Sequence, residues 1–444
     1  MHVMVFLLPL LVGAADPMLP ANVWPQWRGP TGNSVSPNPN LPTQWGPSEN
    51  VVWKTALPGW GNSTPVVWQD AIFVTSQEED RLLLLRLDRQ NGQVAWQREV
   101  GRGTPRRKGP VGIGRYHDEH NLASPSPVTD GQHVWVHFGN GDLACYDFAG
   151  TRVWSLNLAE RFGPYSIWWG HANSPVLVGD LLVSVCMQDP LGGGSSYVVA
   201  HEKRTGKERW FVRRDTGAKG EPADAYTTPL LCRHDGRDEL IVFGGNVLDA
   251  YDAGTGKRLW QCHPFDGNRV ISGPTLVGDT VYAVQGMRGP LYAIRAGGAG
   301  DVTATQVLWK YAGSTPDAAS PVVADGLVFL ATNPGVVVCV DAATGQELWK
   351  ERLGQGFRAT PLVAGNRVYF FSKEGKATIV EAARQLRVLA RSDLGEETVA
   401  SPATAGEDLF VRTRAGLYRI GVKKAARAKP APGPFGRYFF SSAR

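Results

Sequence analysis

The chain of 444 residues has few cysteines, and they are scattered. Cys145, Cys186, Cys232, Cys262 and Cys339 are odd in number, with no adjacent pair and no two at zinc-ligand spacing. That argues against a disulfide framework and against a zinc or iron–sulfur site built from thiolates. Cys145 and Cys339 stand at matching places, in Ala144-Cys145-Tyr146-Asp147 and Val338-Cys339-Val340-Asp341, which suits small core residues. No apolar run is long enough to span a membrane. Val3 to Val12, followed by Gly13-Ala14-Ala15 before Asp16, reads as a secretory signal peptide over residues 1–15. No HExxH and no serine elbow occurs, and Gly192-Gly193-Gly194-Ser195-Ser196 lacks the Lys and helix of a phosphate-binding loop. No catalytic residue is placed by motif. Long periodic helical segments are missing as well.

Net charge is also nearly absent from the body of the chain. The total is +5, but Lys423, Lys424, Arg427, Lys429, Arg437 and Arg444 fall in the last stretch without any acid. Removing those six takes the remainder to −1, which excludes nucleic-acid binding through a broad basic face. Residues 421–444 read as a basic, Pro/Ala-rich tail with an aromatic end.

Tryptophan, glycine and proline are plentiful, at 15, 52 and 31 residues. Asp341-Ala342-Ala343-Thr344-Gly345-Gln346-Glu347-Leu348-Trp349 has close variants ending at Trp260, Trp96, Trp154 and Trp210, and degenerate copies end at Trp53 and Trp309. The seven tryptophans are spaced by 43, 58, 56, 50, 49 and 40 residues. Such a period marks repeats that bury their apolar faces only against neighbours, so these tryptophans are assigned to blade docking.

A second marker, a small residue before proline, runs out of phase with the first. It occurs eight times: Thr64-Pro65, Ser126-Pro127, Ser174-Pro175, Thr228-Pro229, Gly273-Pro274, Ser320-Pro321, Thr360-Pro361 and Ser401-Pro402. Turn pairs such as Gln69-Asp70, Gly278-Asp279 and Asp325-Gly326 follow, and apolar strands follow those. Each unit therefore reads as four strands, A after the proline through D with the tryptophan. In the sixth unit they fall at about 321–324, 327–332, 336–341 and 347–351. Arg387-Val388-Leu389 supplies the seventh D strand without a tryptophan. Asn50-Val51-Val52-Trp53-Lys54 is a D strand with no A, B or C before it, whereas the last unit lacks a D. The expectation is an all-β fold: a closed eight-bladed β-propeller of four-stranded antiparallel blades over residues 50–420. The N-terminal strand completes the last blade, and residues 16–49 form an extension.

The Asp-x-x-Thr-Gly-x-x-x-Trp unit with its Ser-Pro-Val-Val marker resembles the PQQ-like (quinoprotein alcohol dehydrogenase-like) propeller repeat family. That family includes the outer-membrane-protein assembly propeller BamB. Trp24-Pro25-Gln26-Trp27-Arg28-Gly29-Pro30 resembles a secreted bacterial branch of it. In the dehydrogenases the resemblance implies a quinone between a tryptophan and a vicinal Cys-Cys disulfide, with calcium on acidic and amide side chains. No adjacent cysteines exist here, and no matched ligand set carries over, so no cofactor is expected.

The connections from D to the next A strand are unequal. Trp96 to Pro127 spans 31 positions and Trp154 to Pro175 spans 21, against 12 for Trp309 to Pro321 and for Trp349 to Pro361. Long loops on a rigid scaffold concentrate function. Arg115, His117, Asp118, Glu119, His120, Tyr165, Trp168, Trp169 and His171 are therefore the candidate ligand- or partner-binding face. The imidazoles and carboxylates suit Zn or Mn chemically, but their spacing matches no metal motif and no metal is assigned. His133 and His137, flanking Trp135, read as strand packing. The expected function is a non-catalytic, exported scaffold, periplasmic or extracellular, binding an envelope protein, peptide or other ligand as a monomer. The alternative is a PQQ- and calcium-dependent dehydrogenase of alcohols or sugars.

Overall fold

The computed structural model describes residues 21–104, 118–190, 193–234 and 236–421, together with the backbone of the strands Arg106–Gly109 and Gly112–Arg115. The signal peptide, His117 and all but the first residue of the tail lie outside the described residues. Eight antiparallel sheets follow one another along the chain. Blade 6 shows the unit: Val322–Ala324, Leu327–Ala331, Val336–Asp341 and Glu347–Arg352. The D strand of blade 7 is Val388–Asp393. The expected A–B turns form where the chain adopts positive φ, at Gln69, Gly179, Gly278, Asp325, Gly365 and Gly406.

Blade 8 takes Ala403–Ala405, Asp408–Arg412 and Gly416–Ile420 from the end of the chain and Val51–Ala56 from its start. Trp53 lies opposite Arg419, and Thr55 opposite Leu417. A fifth strand also caps the outer edge of blade 4, where Gly300–Asp301 runs parallel to Arg258–Cys262. Both pairings cover edges that would otherwise expose unpaired backbone groups.

The tryptophans act between blades. The indole N–H of Trp53 donates to Arg89 O (2.9 Å), Trp96 to Phe148 O (3.0 Å), Trp154 to Lys203 O (2.9 Å) and Trp210 to Ala253 O (3.2 Å). Trp309 and Trp349 repeat this with Ala342 O and Ala383 O at 3.1 Å each. Trp260 differs: it is fully buried and donates to Glu239 Oε2 at 2.9 Å within its own blade. The Thr-Gly of the repeat explains itself in the same contact. Gly256 has φ +74°, and a Cβ there would sit 2.6 Å from the Trp210 ring. Glycine is required both for the backbone angle and for the close approach of the indole.

Residues 21–36 do not hang from the ring; they thread its channel. Val23–Trp24 adds as an innermost strand to blade 1, with Val23 opposite Trp68 and Trp24 opposite Val67. Gly406 N donates to Ala21 O, and Thr129 N donates to Pro25 O. Arg28 is fully buried and donates to Pro274 O (2.6 Å) and Pro321 O (3.1 Å). Asn33 exchanges bonds with Leu276, and Ser34 and Ser36 bracket Val363. This one segment thus meets the polar backbone of inner strands in blades 1, 2, 5, 6, 7 and 8, groups that burial would otherwise leave unpaired.

Three substitutions rank these constraints. Trp210→Ala should cost about 3–5 kcal/mol through lost packing. Gly256→Ala should cost about 1–3 kcal/mol through backbone strain and the clash with Trp210. Gly179→Ala, with φ +55° but open space around it, should cost the least. Denaturant midpoints in that order would verify the docking contact.

Candidate functional site

The eight proline markers converge on the channel and bond to one another. In six of the eight blades the backbone N–H at the marker is donated to the hydroxyl of the marker in the next blade. The steps are Thr64 to Ser126 (2.9 Å), Ser126 to Ser174 (2.9 Å) and Ser174 to Thr228 (3.1 Å). They resume with Gly273 to Ser320 (3.0 Å), Ser320 to Thr360 (3.2 Å) and Thr360 to Ser401 (3.0 Å). The step from Thr228 has no hydroxyl to meet, because Gly273 has no side chain. The Trp27 indole lies there instead: a Cβ on residue 273 would fall 2.7 Å from its ring.

Above this ring opens a cavity of about 410 Å³ on the long-loop face. Its wall follows a rule. The residue two positions before each marker points into it in every blade: Asn62, Ser124, Ala172, Tyr226, Ile271, Ala318, Arg358 and Val399. In an extended strand, positions i and i−2 share a face, so the marker and its second predecessor line the channel together. The intervening residues, such as Ser63, Asn173, Ser272 and Ala359, are buried between blades. Trp27 contributes from the threaded segment, and it also lines a second cavity of about 620 Å³ on the side of the A–B turns.

Charged groups at the cavity are matched in pairs. Glu119 receives Arg358 Nε at 2.7 Å and also pairs with Lys373. Burial pushes the Glu119 carboxyl up, and the Lys373 and Arg358 cations more than offset this, holding it below the usual range. Arg269 pairs with Glu221 (2.6 Å) and Asp317 (3.7 Å), with its guanidinium 5.7 Å from the centre of the Trp169 ring. Asp224, just behind the wall, accepts from Trp168 N (2.6 Å) and Asp189 N (3.0 Å) and so holds the loop carrying both tryptophans. Burial raises its carboxyl to about 7, against the lowering effect of those two amide bonds.

Of the residues singled out from the sequence, Glu119, His120 and Trp169 line this cavity. Asp118 is exposed beside it, its carbonyl accepting from Arg414 at 3.4 Å. Trp168 is half-buried and packs edge-on against Trp169. His171 and Tyr165 turn inward. His171 is fully buried, with Nε2 3.2 Å from His137 Nδ1, while His137 Nε2 lies 3.1 Å from the Tyr165 hydroxyl, itself 3.2 Å from that of Tyr197. His137, read from the sequence as strand packing, is thus part of a buried polar chain. Arg115 belongs to the strand Gly112–Arg115, and His117 lies outside the described residues. Arg269, Asp317, Arg358 and Lys373 were not singled out, because they sit on short connections of blades 4 to 7.

The calcium–quinone arrangement implied by the family resemblance does not fit these residues. All five cysteines are free, buried and absent from the cavity wall, so no vicinal disulfide forms. Glu119 and Asp317, the carboxylates at the cavity, are both engaged by cations. Among the described residues, no group of three His, Cys, Asp or Glu converges as metal ligands.

The buried imidazoles set a pH dependence. Burial, then the nearby His201, pushes His137 down to about 3. Burial, then His137, pushes His171 well below its ordinary value. An unfolded imidazole takes up its proton near pH ~6.5, so the stability that a neutral buried His137 represents is present above that pH. It is lost as pH falls toward about 3. His137→Gln should flatten the fall in unfolding free energy over that window by about 1.4 kcal/mol per pH unit. Urea titrations at a series of pH values test this.

Comparisons with known proteins agree with the architecture. The family described as outer membrane protein assembly factor BamB matches at residues 43–189, 139–301 and 298–423. The crystal structure of BamB from Moraxella catarrhalis is 16% identical, with a TM-score of 0.59 over 83% of this chain and 98% of that one. Quinohemoprotein alcohol dehydrogenase from Comamonas testosteroni is 13% identical, with a TM-score of 0.66 over 92% of this chain and 82% of that one. A quinohemoprotein alcohol dehydrogenase from Pseudomonas putida HK5 is 14% identical, with a TM-score of 0.64 over 94% and 82%. At these identities the solved structures speak to fold alone. No curated protein matches the sequence. With the matched segments running from residue 43 to 423, the chain belongs to the BamB-like family of PQQ-type repeat propellers.

Proposed function

We propose that the protein is an exported, non-catalytic binding scaffold of the cell envelope that holds its ligand or partner in the cavity on the long-loop face. One observation carries this reading: every blade contributes a wall residue to a single cavity whose charged groups are already locked in ion pairs. A general acid or base must be able to exchange its proton at the working pH. Glu119, held ionised by two cations, is poorly suited to that task. The family's description as an assembly factor supports an envelope location. The chain acts as a monomer, and no helix among the described residues is long and apolar enough to cross a membrane. Neither PQQ nor calcium is required.

The test is a tryptophan-fluorescence titration of the purified chain with protein, glycan and lipid fractions of a bacterial envelope extract, run beside PQQ with calcium. At least one fraction should shift the emission saturably, and Trp169→Ala should weaken that response roughly tenfold, as expected for a central aromatic contact. PQQ with calcium should give no saturable binding up to about millimolar. Stoichiometric PQQ binding with dye-linked alcohol oxidation would overturn the proposal in favour of a dehydrogenase.

A further inference from the structure

Resting on the reading of the cavity as a ligand site, we infer that its occupant is a neutral saccharide: an uncharged sugar ring, free or at the end of a glycan. Three features of the cavity select that chemistry.

The first is charge. Glu119 is matched by Arg358 and Lys373, and Arg269 by Glu221 and Asp317. Two carboxylates and one cation on one side balance one carboxylate and two cations on the other. An ionic ligand would lose its hydration on entering, and no surplus charge is present to compensate it. An uncharged ligand does not meet that penalty.

The second is hydrogen-bonding capacity. Ser126, Ser174, Thr228, Thr360 and Ser401 all line the cavity, and each oxygen already accepts a backbone N–H. A hydroxyl has one proton to donate as well, and among the described residues none of these five donates it to a protein acceptor. The cavity floor therefore offers O–H donors from blades 2, 3, 4, 7 and 8 to acceptor oxygens. A polyhydroxylated ring supplies them at successive carbons.

The third is the mixture of polar and apolar positions around the wall. Blades 7, 1 and 2 supply Arg358, Asn62 and Ser124, blades 3, 5, 6 and 8 supply Ala172, Ile271, Ala318 and Val399, and blade 4 supplies Tyr226. Trp27 and Trp169 add indoles, each with a guanidinium near one ring, Arg28 at 5.2 Å and Arg269 at 5.7 Å. A sugar ring has the matching division, C–H groups on its faces and hydroxyls around its edge. Aromatic side chains present an apolar face to the former, and fixed polar groups orient the latter. An extended peptide fits less well, because it would seek inner-strand backbone that residues 23–36 already pair in blades 1, 5 and 7.

The experiment is isothermal calorimetry of the full chain against glucose, galactose, mannose and N-acetylglucosamine, their oligomers of two to six units, and the corresponding uronic acids. At least one neutral sugar should bind saturably at millimolar or below, its uronic acid at least about tenfold more weakly. Trp169→Ala should weaken binding roughly tenfold, and Val153→Ala, exposed on the outer strand of blade 2, should leave it unchanged. Ala318→Leu keeps every hydrogen bond while filling the cavity, and it should abolish binding in a chain with unaltered melting. Binding of monomers and oligomers alike identifies a free sugar as the ligand; binding of oligomers only identifies a glycan end. No binding across the panel, tighter binding of the uronic acid, or indifference to both Trp169→Ala and Ala318→Leu overturns the inference. If a protein or lipid fraction still shifts the fluorescence while the sugars are silent, the saccharide assignment fails and the scaffold reading stands.

Discussion

The strand Val51–Ala56, lying against Gly416–Ile420, joins the two ends of the repeat array, and everything at the channel depends on that joint. Without it blade 8 would end at Gly416–Ile420, and the Trp53 contact to Arg89 of blade 1 would be lost. Six of the eight markers bond to the next around the ring, and a lateral shift in one of those blades would break hydrogen bonds to its neighbours. The tryptophan contacts do the same work farther out, where six of the seven repeat indoles donate to a carbonyl in the following blade. The ring is cooperative because its links are directional bonds with fixed partners, not apolar contact alone.

The threaded segment is the second consequence of closure. A propeller of eight blades leaves a channel whose inner strands present unpaired backbone. Residues 21–36 fill it, with Arg28 supplying donors to the carbonyls of Pro274 and Pro321 in adjacent blades. The hydroxyl ring is interrupted at Gly273, and there the Trp27 ring takes the space that a side chain would need. A flaw in the repeat and a feature of the extension therefore fit each other. That pairing converts an open channel into a cavity with a floor.

The cavity lies over the channel, where every blade reaches it, but it lacks the cofactor chemistry that the family resemblance implies. Its cations and carboxylates neutralise one another, and its cysteines are dispersed through the blades. Fold and function are separable because the residues that dock blades are not those that face the channel. The long connections of blades 1 to 3 contribute Glu119, His120 and Trp169, yet they are answered across the cavity by Arg269, Asp317 and Arg358 from short ones. Loop length marks where material was added, whereas a site on the axis draws one residue from every blade.

The four-stranded unit, its eightfold repetition and the completion of blade 8 by Val51–Ala56 were legible in the sequence. Strand alternation, turn residues and the tryptophan period are local, and local sterics decide them. The wall of the cavity was legible in principle too, since position −2 from each proline marker supplies it in all eight blades. No local rule could disclose the ion pairs between Glu119 and Arg358, 239 residues apart, or the burial of His171 against His137. Nor could it place Trp27 at the gap left by Gly273, because that contact exists only once the ring has closed around the segment. The sequence by itself determined the repeat and its number; the tertiary structure decided which charges cancel and what faces the axis. The reason is physical: strand formation depends on neighbours in the chain, while charge pairing, burial and access depend on neighbours in space.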